Sequence, residues 1–235
     1  MNLLLVEPHE LVAPLRARVT GERVRHVREV LGLSSGACLR AGVVDGALGE
    51  ARLLSLGLDH AELELTLDQP PPPPLPLTLL LALPRPKMLK RILQMVAGLG
   101  VGRLVLIHTY RVEKSYWASP CLQPAALREQ LLLGLAQARA TQLPEVAMYK
   151  RFRPFVEDEL PALIGHAEAW IAHPGAGAQP VTTAGRPCVL AVGPEGGFIP
   201  FEVELMQAQG MRCIDLGPRI QRVEWAVPSL IARLF

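Results

Sequence analysis

A run of prolines divides this chain of 235 residues into a shorter first part and a longer second part. The run begins at Pro70, continues without interruption to Pro74, and is followed by Pro76. Proline fixes its own backbone angle and has no N–H group to donate, so such a run forms neither a helix nor a central strand. We therefore predict a stiff, extended linker at residues 70–76. The predicted domains on either side are residues 1–69 and residues 77–235.

The first domain has the pattern of a small β-rich unit. Short apolar segments alternate with glycine-containing turns, and Leu63, Leu65 and Leu67 would lie on one face of a strand. One helix is predicted over residues 22–31, because valines recur along one of its faces. The polar face of that helix contains Arg23, Arg25, His26 and Arg28. The predicted strands are Leu3–Val6, Ala37–Ala41, Gly49–Leu56 and Ala61–Leu67.

After the linker, short apolar segments alternate with longer amphipathic ones. This alternation predicts an α/β sheet with helices on both faces. The predicted strands are Leu77–Leu83, Arg103–His108, Glu145–Tyr149, Trp170–His173, Cys188–Val192 and Cys213–Leu216. The predicted helices are Lys87–Leu99, Pro124–Gln142, Pro154–Ile164, one that starts at Pro200, and one over Glu224–Leu234.

Three of these strands run into loops that contain both glycine and proline. Glycine has no Cβ and can adopt positive φ, so a ligand can approach the backbone of such a loop closely. Because ligands of parallel sheets bind at the carboxyl ends of the strands, the loops predict a ligand site there. Three ordinary strand-to-helix turns would have the same sequence pattern. The loops are Pro174-Gly175, GPEGGF at Gly193–Phe198, and Gly217-Pro218.

Composition excludes several other classes of protein. Half of the residues are hydrophobic, but no apolar run approaches the ~20 residues that cross a membrane. Residues 1–8 lack the charged and apolar regions of a signal peptide. The four cysteines have no metal-ligand spacing, so we expect reduced thiols in a cytoplasmic protein, with no metal site and no membrane partner.

Basic residues are concentrated just after the linker. The formal net charge of +2 is too small to indicate a nucleic-acid partner by itself. Between Arg85 and Lys114, however, Glu113 is the only acid. A phosphate-rich partner would explain this stretch, and so would an ordinary solvated helix face. Arg85 and Lys87 are the candidates for phosphate contacts here.

Two of the glycine loops, taken together, resemble those of a known enzyme class. GPEGGF followed by LGPRIQRVEWAV at Leu216–Val227 is similar to the cofactor loops of the SPOUT methyltransferases. More narrowly, the ordered set of segments along the chain resembles the RsmE family of 16S ribosomal RNA uridine-N3 methyltransferases. The further segments are PRPKM at Pro84–Met88, YRVEKS at Tyr110–Ser115, QAR at Gln137–Arg139, LPEV at Leu143–Val146 and HPG at His173–Gly175.

This resemblance implies a fold, a reaction and an assembly. The fold is a small PUA-like RNA-binding β-barrel followed by a trefoil-knotted α/β domain of the SPOUT class. The reaction is methylation of N3 of one uridine in small-subunit ribosomal RNA, with S-adenosylmethionine as the methyl donor. The assembly is a homodimer. The last helix also favours a dimer, because it has more large apolar residues than a single buried face needs, which indicates a second buried face. Those residues are Trp225, Val227, Leu230, Ile231 and Leu234.

The resemblance also implies roles for particular residues. Methylation at N3 requires that the N3 proton be removed or the anion stabilised, and Arg139, Arg222 and Glu224 are the candidates. Glu224 could equally be an acid that faces a helix N-terminus. The candidate RNA-binding residues are Arg23, Arg25, His26, Arg28, Arg85 and Lys87. The candidate cofactor-binding residues are Ile171, Ala172, His173, Gly193, Pro194, Glu195, Gly196, Gly197, Leu216, Gly217, Ile220 and Gln221.

The sequence departs from the family pattern in the cofactor segment. The family typically has leucine where Gln221 stands and threonine where Trp225 stands, and Ala136 replaces a glutamate. We therefore predict weaker binding of S-adenosylmethionine, since an amide loses water in such a loop and an indole can overpack it. One alternative is a catalytically weak or inactive RNA- or ribosome-binding homologue on the same scaffold. Another is an α/β enzyme that acts on a small molecule.

Overall fold

The structure, a computed structural model, describes residues 2–175 and 182–235. It divides into two compact units. The first comprises Met1–Pro73 together with Leu131–Leu143, and the second comprises Pro74–Gln130 and Pro144–Phe235. The predicted linear boundaries do not include this return of the chain to the first unit.

The first unit is built on a six-stranded sheet with the spatial order β1-β4-β5-β6-β3-β2. Its strands are β1 (Leu4–Val6), β2 (Leu11–Ala13), β3 (Arg16–Thr20), β4 (Cys38–Val43), β5 (Leu48–Leu56) and β6 (His60–Gln69). β1 and β4 are parallel, and the other neighbouring strands are antiparallel. The sequence predicts β1, β4, β5 and β6 but misses β2 and β3.

The predicted helix of the first unit is present. It begins as α1 (Glu22–Arg25) and continues as a π-helical turn at His26–Val30. Val24 and Val27 are buried in a core that the strands line with leucine and alanine. The valine periodicity is therefore correct for Val24 and Val27 but wrong for Val30, which is 68% exposed at the end of the π-helical turn.

Residues 131–143 join the first unit through hydrogen bonds to the turn between β4 and β5. The hydroxyl of Thr141 donates to the carbonyl of Gly46 (2.6 Å), and the N–H of Asp45 donates to the carbonyl of Thr141 (2.8 Å). The carboxylate of Asp45 accepts from the N–H of Leu143 (2.8 Å). Because these contacts are far apart in sequence, the pattern of residues gave no sign of them.

The second unit has a six-stranded, fully parallel sheet with the order β12-β10-β11-β7-β8-β9. The predicted α/β class is therefore confirmed, while the trefoil knot stays a prediction. The strands are β7 (Leu75–Ala82), β8 (Val101–Ile107), β9 (Glu145–Tyr149), β10 (Glu168–Ala172), β11 (Cys188–Val192) and β12 (Arg212–Ile214).

The helices of the chain beyond the linker agree with the sequence except at the end of α3. The prediction extends this helix to Gln142, but it ends at Ala138 because Arg139 adopts a left-handed φ of +58°. The helices are α2 (Pro86–Gly98), α3 (Pro124–Ala138), α4 (Phe152–Pro154), a π-helical turn at Phe155–Glu159, α5 (Leu160–Ile164), α6 (Pro200–Ala208) and α7 (Val223–Leu234).

Strand β7 begins inside the predicted linker. It starts at Leu75, and its register against β8 is irregular between Leu75 and Thr78, which accommodates Pro76 within the strand. Leu79, Leu80 and Leu81 are all fully buried, as expected for a central parallel strand covered on both faces. This core positions the strand ends at which the candidate site lies.

All four cysteines are free thiols, and they differ in burial. Cys188 is buried at the start of β11, and burial followed by the nearby Glu168 charge raises the pKa of its thiol to about 12. Cys213 is half-buried, and burial raises the pKa of its thiol too. No helix in the described part of the chain is long and apolar enough to span a membrane.

Candidate functional site

Three neighbouring parallel strands end at one cavity in the second unit. β10 lies between β11 and β12; β10 ends at Ala172, β11 at Val192 and β12 at Ile214. The loops that follow them surround a cavity of about 310 Å³. All predicted cofactor residues line this cavity except Ile171, which is fully buried within β10. The structure therefore brings these residues together, while their role in binding a cofactor stays a prediction.

The loop after β11 contains a turn that requires glycine. The N–H of Gly197 donates to the carbonyl of Pro194 (2.8 Å), and Gly197 has a φ of +74°. A Cβ on Gly193 would lie 3.1 Å from the nitrogen of Phe198 and 3.2 Å from its ring. One glycine is thus needed for its backbone angle and the other for its lack of a side chain. As a result, bare backbone forms part of the cavity wall.

Hydrogen bonds connect the loops after β10 and β12. The N–H of His173 donates to the carbonyl of Ile214 (2.9 Å), which joins the two strand ends. The carboxylate of the buried Asp215 accepts from the N–H of Gly217 (2.9 Å). The guanidinium of Arg233, in α7, donates to the carbonyl of Asp215 (2.9 Å). The protein itself thus positions the backbone of both loops.

One buried nitrogen at the cavity has no protein partner. Nδ1 of His173 is buried, and residues 2–175 and 182–235 provide no hydrogen-bond partner for it. Such orphaned nitrogens are uncommon, because burying a polar atom costs free energy that a hydrogen bond would offset. A polar group of a ligand in the cavity would supply this bond.

Arg111 lines the cavity, although the sequence did not single it out. Its guanidinium donates to the carbonyl of Gly196, in the GPEGGF loop. A Cβ on Gly196 would lie 2.9 Å from Cδ of Arg111, so the arginine packs where a side chain would otherwise be. The segment YRVEKS contained Arg111, but nothing in it indicated a contact with a loop so distant in sequence.

Glu202 anchors the same two loops, and the sequence indicated only an acid near a helix start. Glu202 is buried, with only 3% of its surface exposed. One carboxylate oxygen accepts from the N–H of Tyr110 (2.7 Å), and the other accepts from the N–H of Ile199 (3.0 Å). A buried carboxylate with two backbone donors forms strong, charge-assisted hydrogen bonds. Glu202 therefore fixes the loop after β8 against the GPEGGF loop.

The predicted catalytic residues do not line the cavity. Arg222 is exposed at the start of α7, and Glu224 is half-buried in the first turn of that helix. Both flank Val223, whose side chain does line the cavity. Arg139 belongs to the first unit, where it is exposed. The catalytic roles of the three residues stay predictions, and so does the alternative that Glu224 faces the helix dipole.

The predicted RNA-binding arginines of the first unit have acidic partners within it. Arg23 donates to both carboxylate oxygens of the buried Glu10 (2.5 and 2.8 Å) and to the carbonyl of Leu5 (2.7 Å). Its guanidinium thus has a structural role that the sequence did not reveal. Further ion pairs join Arg25 to Glu22 and Arg28 to Glu29.

The remaining candidates for RNA contacts differ in exposure. His26 is half-buried in the π-helical turn, whereas Arg85 and Lys87 in the second unit are exposed. Arg85 lies 4.0 Å from the carboxylate of Glu195, a separation at which an exposed pair contributes little. RNA binding by all six predicted residues stays a prediction.

The two departures in the cofactor segment lie in different environments. Gln221 lines the cavity, whereas Trp225 does not and is 64% exposed on α7. An indole this exposed is not overpacked, so the steric argument for weaker cofactor binding does not hold at Trp225.

The last helix is less available for dimer contacts than its composition indicated. Four of the five apolar residues that favoured a second subunit are buried in the core of the chain itself, and Trp225 is the exception. The buried residues are Val227, Leu230, Ile231 and Leu234.

No metal centre is evident in the described chain. Among residues 2–175 and 182–235, no three side chains of histidine, cysteine, aspartate or glutamate are placed to hold an ion together. The cavity instead combines glycine backbone, the orphaned His173 nitrogen and apolar side chains such as Leu216 and Leu230. This combination suits a nucleoside, which has both polar edges and flat apolar faces.

Comparison with known proteins identifies the family. Residues 71–234 match the RNA methyltransferase domain family. The ribosomal RNA small subunit methyltransferase E of Treponema pallidum is 33% identical over 241 aligned residues, which cover 99% of this chain and 90% of that protein. This chain belongs to the RsmE family.

Solved structures agree with the RsmE fold. A methyltransferase from Legionella pneumophila, in complex with S-adenosylmethionine, has a TM-score of 0.78 at 21% identity and covers 98% of this chain and 95% of its own. The RsmE of Neisseria gonorrhoeae, bound to S-adenosylmethionine, has a TM-score of 0.77 at 21% identity, with 98% and 96% covered. At this level of identity the likeness establishes the fold of both units.

Proposed function

We propose that this RsmE-family chain transfers a methyl group from S-adenosylmethionine to N3 of a uridine in small-subunit ribosomal RNA. The observation that supports it is the cavity itself, in which three loops of a parallel sheet bring together nearly all the cofactor residues that the family resemblance implied. The name of the Treponema pallidum relative points to the small ribosomal subunit as the target.

The cavity residues fit the proposed cofactor. The backbone of Gly217, which has no atom within 4 Å of an added Cβ, would allow a nucleoside to approach closely, and Nδ1 of His173 would gain a hydrogen-bond partner. Leu216 and Ile220 would pack against the flat base. When bound, S-adenosylmethionine supplies an electrophilic methyl group.

The remaining chemistry concerns the uridine. Its N3 proton lies on the pairing edge, so the base must be unpaired before the proton can leave. We assign anion stabilisation to Arg222, and proton acceptance or orientation to Glu224. Catalysis then relies on positioning and electrostatics, because methyl transfer needs no covalent enzyme intermediate.

We further propose a homodimer in the cytoplasm, with ribosomal RNA or the small ribosomal subunit as partner. Ile220, which is 86% exposed beside the cavity, and Trp225 leave apolar surface that a second copy would cover. Sedimentation at micromolar concentration should show a dimer, and Trp225→Thr should weaken it. A monomer alone at that concentration would count against this assembly.

Two measurements test the function. Calorimetry should detect binding of S-adenosylmethionine and S-adenosylhomocysteine, and methyl transfer to small-subunit RNA or particles should require Glu224. Arg222→Gln should reduce turnover more than cofactor affinity if the arginine acts on the uridine. The alternative, an inactive RNA-binding homologue, predicts that the chain binds RNA but neither S-adenosylmethionine nor S-adenosylhomocysteine. Absence of cofactor binding would therefore reject the methyltransferase proposal.

A further inference from the structure

The half of the sheet edge that the cavity does not use is basic and aromatic. The register pairs Ala82 with Ile107 and Ile107 with Tyr149, so strands β7, β8 and β9 end at the same level. The loops that leave these ends present a set of side chains that we call the edge surface. It consists of Arg85, Lys87, Tyr110, Lys114, Trp117 and Lys150.

We propose that the edge surface binds a single-stranded RNA segment, with Tyr110 and Trp117 stacking on bases and the four cations contacting phosphates. This proposal rests on the proposed function, because it states that the RNA substrate is single-stranded where it reaches the cavity. It also adds residues to the RNA-binding set that the sequence indicated, which contained only Arg85 and Lys87 from this edge.

Tyr110 is exposed but held at its backbone. The residue is 79% exposed, which is unusual for an aromatic side chain without a partner. Its N–H donates to the buried Glu202 (2.7 Å), so the ring projects from a fixed point of the chain. A ring that is already positioned loses little conformational freedom when a base stacks on it.

Trp117 is positioned by its own contacts. Its indole N–H donates to Nδ1 of His108 (2.9 Å), and the two rings meet edge to face at 6.2 Å. Nζ of Lys150 lies 5.8 Å from the centre of the indole ring. The half-buried indole therefore combines a fixed orientation with an adjacent cation, as in proteins that bind single strands by stacking along a basic groove.

The charge of the edge surface suits a phosphate chain. Arg85, Lys87, Lys114 and Lys150 are all exposed, so each can reach a phosphate without losing a buried contact. Glu113, on the loop after β8, is an acid of this edge and accepts from the hydroxyl of Tyr116 (3.1 Å). Glu195, on the neighbouring GPEGGF loop, lies 4.0 Å from Arg85. The cations therefore outnumber the acids along this half of the edge.

The edge surface continues into the cavity. Arg111 is the residue after Tyr110, and it lines the cavity while donating to Gly196. A strand whose base stacks on Tyr110 would thus have a neighbouring nucleotide close to the cavity wall. A duplex could not bind in this way, because its bases already stack on one another and expose no flat faces.

Fluorescence anisotropy with a labelled oligouridylate of roughly ten nucleotides tests the proposal, since such sites span about 4–16 nucleotides. Tyr110→Phe keeps a ring and should bind like the parent chain, whereas Tyr110→Ala should weaken binding about tenfold. A duplex of the same length should bind more weakly than the single strand. Equal affinities for Tyr110→Phe and Tyr110→Ala, or equal affinities for single strand and duplex, would overturn the proposal.

The cations are tested by salt dependence. The double variant Lys114→Gln/Lys150→Gln should reduce the slope of log affinity against log salt by about 1.4, because each phosphate contact on a single strand contributes about 0.7. The matched control is Arg186→Gln/Arg212→Gln, which removes two exposed cations near the amino ends of β11 and β12. An unchanged slope in the Lys114/Lys150 variant, or an equal change in the control, would reject the edge surface as the phosphate site.

Calorimetry with S-adenosylhomocysteine separates this proposal from the proposed function. Tyr110→Ala should retain the cofactor affinity of the parent chain while losing RNA affinity. If the parent chain binds the oligouridylate through Tyr110 but binds no cofactor, the methyltransferase proposal fails and the edge surface stands. If Tyr110→Ala loses both ligands together, the ring supports the loops rather than contacting RNA, and the stacking proposal fails.

Discussion

The two halves of the carboxyl edge in the second unit differ in how they can recognise a ligand. Where β12, β10 and β11 end, the loops line a cavity with glycine backbone, and at Gly217 no atom lies within 4 Å of an added Cβ. Where β7, β8 and β9 end, the loops present long side chains such as Tyr110 and Lys150. Backbone walls require a ligand of fixed shape, whereas flexible cations and flat rings tolerate a chain of varied sequence. One sheet edge thus provides a pocket for a small molecule beside a surface for a polymer.

Two residues connect these halves. Glu202 accepts from the backbone of both Tyr110 and Ile199, and Arg111 reaches from the loop after β8 to Gly196. The comparison therefore predicts which substitutions affect one half and which affect both.

The largest effect is expected at Glu202, because both halves depend on it. Glu202→Ala removes two hydrogen bonds and leaves two backbone donors without an acceptor, which should lower the free energy of unfolding by about 2–5 kcal/mol. Glu204→Ala, on the exposed face of the same helix, should change it by less than about 0.5 kcal/mol. Denaturant unfolding measures both, and equal stability of the two variants would show that the anchor is dispensable.

A paired glycine test isolates the cavity half. Gly217 and Gly210 both have left-handed φ (+101° and +92°) with no atom within 4 Å of an added Cβ. Alanine at either position should therefore cost about 1–2 kcal/mol of stability. Only Gly217 lines the cavity, so only Gly217→Ala should also weaken S-adenosylhomocysteine binding, by about tenfold. Similar cofactor affinities for the two variants would argue against Gly217 as a cofactor contact.

A smaller effect is expected from restoring the family residue at position 221. Gln221→Leu adds apolar contact at the cavity and removes an amide that loses water, which should strengthen cofactor binding by about 0.5–1 kcal/mol. That corresponds to a factor of about two to five in affinity. Trp225→Thr is the comparison, because the exposed indole does not line the cavity, so this substitution should change cofactor affinity less than Gln221→Leu even if it weakens the proposed dimer. Calorimetry in which Trp225→Thr gives the larger gain would place the indole at the cofactor after all.

The smallest effect concerns a histidine in the side-chain half. Burial lowers the pKa of His108 below its ordinary value of 6.5, the Lys114 charge lowers it further, and the Glu202 charge opposes them. Because the unfolded chain takes up this proton first, His108 reduces stability as pH falls from 6.5 through the folded-state pKa. Lys114→Gln should raise the pKa of His108 in an NMR titration, whereas Lys87→Gln should leave it unchanged. A lower value in Lys114→Gln would contradict this electrostatic account.

Sequence patterns gave the strands and the glycine loops of the second unit, since buried parallel strands are apolar throughout and their turns need glycine. They missed β2, a strand of only three residues whose apolar side chains are exposed. They also missed β3, in which Ala17 and Val19 alternate with arginines such as Arg16 and Arg18. The helix-ending φ at Arg139 was hidden because no glycine marks it. In each case the local signal was weak and long-range packing decided the structure.

The candidate site shows the same division. Its glycines and His173 could be identified from local motifs and family resemblance. The contacts of Arg111 and Glu202 could not, because they join loops more than eighty residues apart. The pairing of Arg23 with Glu10 was hidden for the same reason, so a residue that reads as exposed and basic has a partly structural role.

The burial of Cys188 offers a way to measure how often β11, the strand that leads into the GPEGGF loop, separates from the sheet. Its thiol has a pKa of about 12 and lies in a fully covered position at the start of β11. Alkylating reagents need an accessible thiolate, so they can modify Cys188 only in molecules where β11 has transiently separated from its neighbours. The exposed Cys38 of the first unit reacts without such an opening. The ratio of the two modification rates therefore measures how often β11 separates from its neighbours and the GPEGGF loop loses its support.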